Sequence, residues 1–231
     1  MTIFAKIIFS FLLIFALPNF HHPAFCQNNN APKGRVQIRL VDQALFDAAY
    51  LGDVKLAKEA LAAGANPNAK NDTGYTPLIF AADSNQSDII KILIPAKADI
   101  NAQDGGGRTS LMAAAINNSN KAMKLLLEAK ADTNLKDRSG KTALMYALTL
   151  GNSQVTKLLL SAKADIDAKD NFDSTVLMYA VDFGESGLVK IILNSKPDVN
   201  AKDKNGRTAL SRAKQNNYNE LVKLLIAVGA K

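Results

Sequence analysis

Apolar residues along this chain fall into two kinds of run. Ile7 to Leu17 (IIFSFLLIFAL) is one stretch, apolar apart from a single serine. From residue 38 onward the apolar positions instead recur at helical spacing, in paired clusters divided by polar turns. Leu78, Ala81 and Ala82 form such a face and predict a short first helix. Thr76 is placed to cap it, and Pro77 fits the first helical position, where the missing N–H is not needed. Asn85 is expected to end that helix, and Ile89, Ile90, Leu93 and Ile94 give the apolar face of a second. Pro95 is expected in the last turn of the second helix, where it removes one hydrogen bond. Ala98-Asp99-Ile100-Asn101-Ala102 then leads to a turn at Asp104 to Gly107. One such pair cannot bury its own apolar faces, whereas stacked copies can.

The copies are present in the chain. Thr76, Thr109, Thr142, Thr175 and Thr208 lie 33 residues apart. Leu78, Leu111, Leu144, Leu177 and Leu210 keep the same phase, as do Ala81, Ala114, Ala147, Ala180 and Ala213. An acid or amide column runs Asn71, Asp104, Asp137, Asp170, Asp203. A glycine column runs Gly74, Gly107, Gly140 and Gly206, with Asp173 as its exception, and a lysine column runs Lys58, Lys91, Lys124, Lys157, Lys190, Lys223. A fixed period of this length predicts stacked supersecondary units.

Tyr75-Thr76-Pro77-Leu78 and Ala98-Asp99-Ile100-Asn101-Ala102 resemble the G-x-T-P-L and G-A-D-x-N-A signatures of the ankyrin repeat. The match recurs in phase from residue 71 to 231, and Leu45, Ala48, Ala49, Gly52, Gly64, Ala65 and Asn68 extend it into a divergent first unit. The resemblance implies an all-α solenoid of helix-turn-helix units with hairpin fingers and a concave binding face. The expected units are a capping repeat at 38–70, repeats at 71–103, 104–136, 137–169 and 170–202, and a capping repeat at 203–231, where the pattern is expected to close. Two departures from the family matter. Its usual histidine after T-P-L is Ile79, Met112, Met145, Met178 and Ser211 here, so apolar packing has to replace a hydrogen bond. Its glycine after the second helix survives at Gly64 and Gly229 but is Lys97, Lys130, Lys163 and Lys196 between them. A non-glycine residue in the left-handed region costs roughly 1–2 kcal/mol, so either those turns relax or stacking absorbs the strain. In the last unit Ser211, Arg212 and Lys214 stand where an earlier unit has Met145, Tyr146 and Leu148, and they are expected to form the polar outer surface of a cap.

The early apolar run is a different object. Eleven residues rising 1.5 Å each cannot cross a hydrocarbon core of about 30 Å. With Lys6 before it, Pro18 after it and Ala24-Phe25-Cys26 ahead of Gln27, it reads as a signal peptide, 1–26, removed before Gln27. Phe25 stands where lipidation of Cys26 needs a small residue, and the short run disfavours an uncleaved anchor. Residues 27–37, polar and containing Pro and Gly, read as a flexible linker. The expected destination is the periplasm or the exterior, with no membrane span in the mature chain.

Cleavage removes the one cysteine, Cys26, and both histidines, His21 and His22. The mature chain then lacks an imidazole base, a thiolate and soft metal ligands, so no enzyme activity, metal or organic cofactor is expected. Gly140-Lys141-Thr142 resembles the end of a phosphate loop, but Leu135 stands where that motif needs glycine, and the triplet falls on the repeat's own columns. Asp165, Asp167, Asp170 and Asp173 form an acidic group with Lys169 at a position where a calcium loop needs an oxygen ligand, and they read as turn residues. The net charge of +7 invites a nucleic-acid reading, yet lysines on the second helix suit a solvated face and export removes the chain from nucleic acid. A basic stripe that attracts acidic envelope polymers is the residual alternative.

Binding has positive support on another face. The ankyrin pattern puts finger tips and first-helix ends on the concave side, where this chain carries Tyr75, Arg108, Ile116, Leu150, Phe172 and Phe183. Large apolar, aromatic and Arg side chains there suggest contact hot spots, against the alternative that Ile116 and Leu150 fill space between units. The expected function is an exported, monomeric binder of a protein partner. An accessory or immunity-type inhibitor of a partner enzyme is the alternative.

Overall fold

A computed structural model describes residues 39–231. The expected signal peptide and linker, with Cys26, His21 and His22, lie outside the described residues. The described residues form twelve helices and no strand. They pair as α1 (Leu40–Leu51) with α2 (Val54–Ala62), α3 (Pro77–Asp83) with α4 (Ser87–Leu93), and α5 (Ser110–Ile116) with α6 (Asn120–Glu128). Then follow α7 (Ala143–Thr149) with α8 (Ser153–Ser161), α9 (Val176–Phe183) with α10 (Ser186–Leu193), and α11 (Ala209–Gln215) with α12 (Asn219–Ala227). Each first helix packs on its own second helix and on the first helix of the next pair, so one continuous core runs the length of the solenoid.

Local chemistry sets the start of each first helix. Thr76, Thr109, Thr142, Thr175 and Thr208 all sit in extended backbone, and each hydroxyl accepts the amide three residues on. The family's histidine position is sealed by apolar packing: Ile79, Met112, Met145 and Met178 are buried. In the last pair, where Ser211 takes that position, its Oγ instead accepts the Thr208 amide at 2.9 Å. The column Ala48, Ala81, Ala114, Ala147, Ala180, Ala213 is wholly buried, and its small side chains let successive first helices approach closely. Helix α4 stops at Leu93, so Pro95 lies beyond its end rather than in its last turn. The helix is two residues shorter than α6, and the proline's missing N–H falls where no helical bond is required.

The lysine turns do not relax. Lys97, Lys130, Lys163 and Lys196 have φ of 65°, 65°, 61° and 56°, the same left-handed region as Gly64 and Gly229 at 87° and 90°. Burial holds them there. The amides of Ala98, Ala131 and Ala164, each the residue after the lysine, close back on Leu93, Leu126 and Leu159 carbonyls at 3.0–3.1 Å, and these alanines are buried. Opening the turn would orphan those groups.

Neighbouring units are stitched by polar ladders as well as by the core. The side-chain oxygens of Asn68, Asn101, Asn134, Asp167 and Asn200 accept the amides of Asp99, Asp132, Asp165, Asp198 and Lys231, one unit on, at 2.6–2.9 Å. At the fingers, the carbonyls of Thr73, Gly106, Ser139 and Phe172 accept the amides of Gly105, Arg138, Asn171 and Lys204 at 2.8–3.0 Å.

The strained lysines give a direct test. At Gly64 an added Cβ would meet nothing within 4 Å, so the penalty at this column is one of backbone conformation alone. Replacing Lys130 by Gly relieves roughly 1–2 kcal/mol of strain and returns about 0.4–1 kcal/mol to the unfolded chain. Lys130→Gly and Lys163→Gly are each expected to raise stability by about 0.5 kcal/mol in urea unfolding. A fall for both would show that the turn is not strained.

Candidate binding surface

Each finger is organised by one side chain. Oδ1 of Asn71 accepts the amides of Thr73 and Tyr75, and Asp104, Asp137, Asp170 and Asp203 repeat this on their own fingers at 2.7–3.0 Å. The finger's residue in the glycine column then takes positive φ, including Asp173 at 60°, a conformation that aspartate tolerates better than most residues. At Gly140 glycine is needed for space as well, because a Cβ would lie 2.5 Å from the Asn171 nitrogen of the next finger.

A carboxylate has a second oxygen to satisfy, and a donor is supplied wherever the column holds Asp. Arg108 Nε donates to Asp104 at 3.1 Å, Tyr146 to Asp137 at 2.6 Å and Tyr179 to Asp170 at 2.7 Å. Asp203 receives Arg207 at 2.9 Å and Arg212 at 2.7 Å. Tyr146, Tyr179 and Arg212 share one column, and opposite the neutral Asn71 that column holds Phe80 instead. Burial works against the Asp137 charge, but the hydroxyls of Tyr146 and Ser139 and two backbone amides outweigh it and hold the carboxyl below its ordinary value. Burial and then Asp137 push Tyr146 up to about 12, and burial with Asp170 raises Tyr179. Both phenols therefore stay protonated donors at neutral pH.

Arg212 corrects the expectation of a solvated cap. Only 8% exposed, it donates to Asp203, to Ser174 Oγ at 2.8 Å and to Asp182 at 2.5 Å. The last helix pair is thus clamped onto the preceding one through the buried Arg212, which reaches the buried Ser174 and the exposed Asp182, while Ser211 and Lys214 are exposed. Asp165, Asp167 and Asp170 each place an oxygen on backbone amides, as turn residues do. Among the described residues no group of three or more His, Cys, Asp or Glu side chains is placed to hold a metal ion, and no helix is long and apolar enough to cross a membrane.

The six candidate contact residues divide by environment. Phe172, at a finger tip, is 66% exposed, Leu150 47% and Phe183 42%. Tyr75, Arg108 and Ile116 are half-buried. Tyr75 and Arg108 are brought together, with the guanidinium 5.3 Å from the ring centroid, and Tyr75 meets Phe80 edge to face at 5.0 Å. Phe183 rests its ring on Gly151, where an added Cβ would come within 2.2 Å of it, so only part of that ring is free to meet a partner. No ring contact joins Phe172 to Phe183 among the described residues. The sequence reading missed the tyrosine column. Tyr146 and Tyr179 recur in phase with Arg212, which was the signal available.

A family model described as ankyrin repeats (3 copies) matches the chain over residues 20–104, 45–137, 88–170 and 169–231. No curated protein matches it.

Asp203 makes the finger network testable by pH. Burial raises its pKa, but the Arg207 amide, the Arg212 and Arg207 side chains and the Asn205 amide together lower it to about 2. A carboxyl depressed below its unfolded value near 4 contributes stability above pH about 4 and loses it as pH falls toward 2. The urea midpoint is expected to fall across that window. Asp203→Asn should be less stable at neutral pH and show a shallower acid slope, and an unchanged slope would remove Asp203 from the account.

Proposed function

This chain belongs to the ankyrin-repeat family, whose repeats are generally protein–protein interaction modules, and we propose that it is a binding protein that grips one protein partner along the side bearing its finger tips and first-helix ends. The observation that carries this reading is the exposure of Phe172, Leu150 and Phe183 on a solenoid whose other large apolar side chains are mostly buried in one core. Exposed aromatic side chains on a rigid scaffold are the usual anchors of an interface. The fingers that present Phe172 are braced by bonds within and between units, so little ordering is required on binding. The proposal includes export, supported by the apolar run Ile7 to Leu17 and Ala24-Phe25-Cys26 before Gln27.

Two experiments test this reading. Affinity capture from extract of the native host, followed by mass spectrometry, identifies the partner. Phe172→Ala with Phe183→Ala is then expected to weaken its binding by about thirtyfold, the loss of roughly 2 kcal/mol of anchoring. The melting temperature should fall modestly, and mainly through Phe183, whose ring covers Gly151. Lys124→Ala with Lys157→Ala, on the exposed side of the second helices, should alter only the salt dependence. If the lysine pair abolishes binding and the phenylalanine pair does not, the second-helix face is the site.

The export step is read separately. Protein isolated from its native host should begin at Gln27 by mass spectrometry. An intact Met1, or lipid on Cys26, would overturn it.

A further inference from the structure

The fingers are not alike in charge. The tip at 104–107 is Asp-Gly-Gly-Gly, and the tip at 71–74 carries the acid Asp72. Around the last three fingers, by contrast, stand Arg138, Lys141, Lys169, Lys202 and Lys204, of which all but the half-buried Lys141 are exposed. None of the five has a carboxylate within ion-pair distance among the described residues. The fingers' own acids Asp137, Asp170 and Asp203 face inward, each with Oδ1 on backbone amides and Oδ2 on a tyrosine or arginine. Asp173 is the one other acid on these tips, and Asp165, Asp167 and Asp198 lie at the roots of the fingers, each with an oxygen on a backbone amide. Lys141 is held between rings, its Nζ 5.6 Å from the Tyr146 centroid and 5.2 Å from that of Tyr179. In the middle of this basic row stands Phe172, the most exposed large apolar side chain of the described residues.

We propose that this row, Arg138, Lys141, Lys169, Lys202 and Lys204 around Phe172, is a docking surface for an extended acidic segment of a partner protein. The inference rests on the reading that the fingers face a partner, and adds the chemistry of what they hold. Cations with no carboxylate partner among the described residues, gathered on one edge while the fingers' own acids are turned inward, select an acidic ligand. The backbone bonds Asn171 to Ser139 and Lys204 to Phe172 fix neighbouring tips in a row. Stacked helices lie about 8–10 Å apart and an extended chain advances about 3.3 Å per residue, so an acid at every third residue meets one finger after another. Phe172 favours a peptide over a bare polyanion such as polyphosphate, which has no apolar or aromatic group to set against the ring.

The probe is a fluorescein-labelled peptide with Glu at every third residue and a central Leu, titrated by anisotropy against the full chain. Arg138→Glu with Lys204→Glu removes side chains that make no bond in the fold, so the circular dichroism melt should stay unchanged while affinity falls about tenfold or more. Lys124→Glu with Lys157→Glu makes the same change in net charge on the second helices and should weaken binding less than about twofold. Phe172→Ala should weaken it about fivefold with the salt dependence kept. No binding by the unaltered chain, or equal losses from both charge reversals, overturns the proposal. So does an oligonucleotide of equal charge that binds as tightly as the peptide, which would make the row a general polyanion site or, if Phe172→Ala weakens it, a nucleic-acid site. If the partner captured from extract still depends on Phe172 and Phe183 but is indifferent to the Arg138 and Lys204 reversal, the binding-face reading stands and this one falls.

Discussion

The structure depends on one small interaction made five times over: a side-chain oxygen at Asn71, Asp104, Asp137, Asp170 or Asp203 accepting two amides of its own finger. Those amides have no strand partner, since the described residues contain only an isolated bridge between Lys169 and Thr175. Without the Asx oxygen those amides would be left to bond water, and each finger would lose the bonds that fix its shape. With it, the tip carbonyl is aimed at the next unit and the side chain of that same residue, Phe172 in one case, is held outward.

From that constraint the rest of the polar architecture follows. An ionised column brings a second oxygen that must be paired, and the chain answers with Arg108, Tyr146, Tyr179, and the Arg207 and Arg212 pair. The responses differ, but the demand is the same, and the neutral Asn71 with Phe80 in the donor column fits the same rule. The last helix pair shows the demand at its strongest. Arg212 is drawn under the surface to serve Asp203, Asp182 and Ser174 together, and removing one partner of a buried ion pair such as Arg212 with Asp203 typically costs about 3–5 kcal/mol. Strain enters at the other end of each unit, where four lysines occupy left-handed backbone, three of them followed by an alanine locked into the core and Lys196 by the buried Pro197.

The helices, their threonine caps and their order were legible in the sequence because a period of 33 makes each position visible several times. The apolar replacement of histidine was legible too, since Ile79 and three methionines left no other partner for the core. What could not be read was which polar side chains turn inward. Arg212 looked like a solvated cap residue because its column holds tyrosines elsewhere, and only the pairing with Asp203 makes a buried guanidinium affordable. The fate of the lysine turns was undetermined because propensity and packing pull in opposite directions there, and their balance depends on how deeply Ala98, Ala131 and Ala164 are buried. Among the candidate contact residues, exposure separated Phe172, Leu150 and Phe183 from the half-buried Tyr75, Arg108 and Ile116, a distinction that column position alone does not contain.

The ladder through Asn68, Asn101, Asn134, Asp167 and Asn200 bonds each oxygen to the amide 31 residues on, and the finger carbonyls reach 32 residues on with equal regularity. Such a chain is quantised in length. Gain or loss of one whole unit by recombination leaves every ladder in register, because each bond only ever refers to the adjoining copy. A residue inserted within a helix between Asn68 and Asp99 turns that helix's apolar face off the core and carries the amide ladder with it. Evolution of this scaffold is therefore free to lengthen or shorten its gripping edge by the unit and to vary tip side chains one at a time, while small insertions are confined to places that leave these bonds intact.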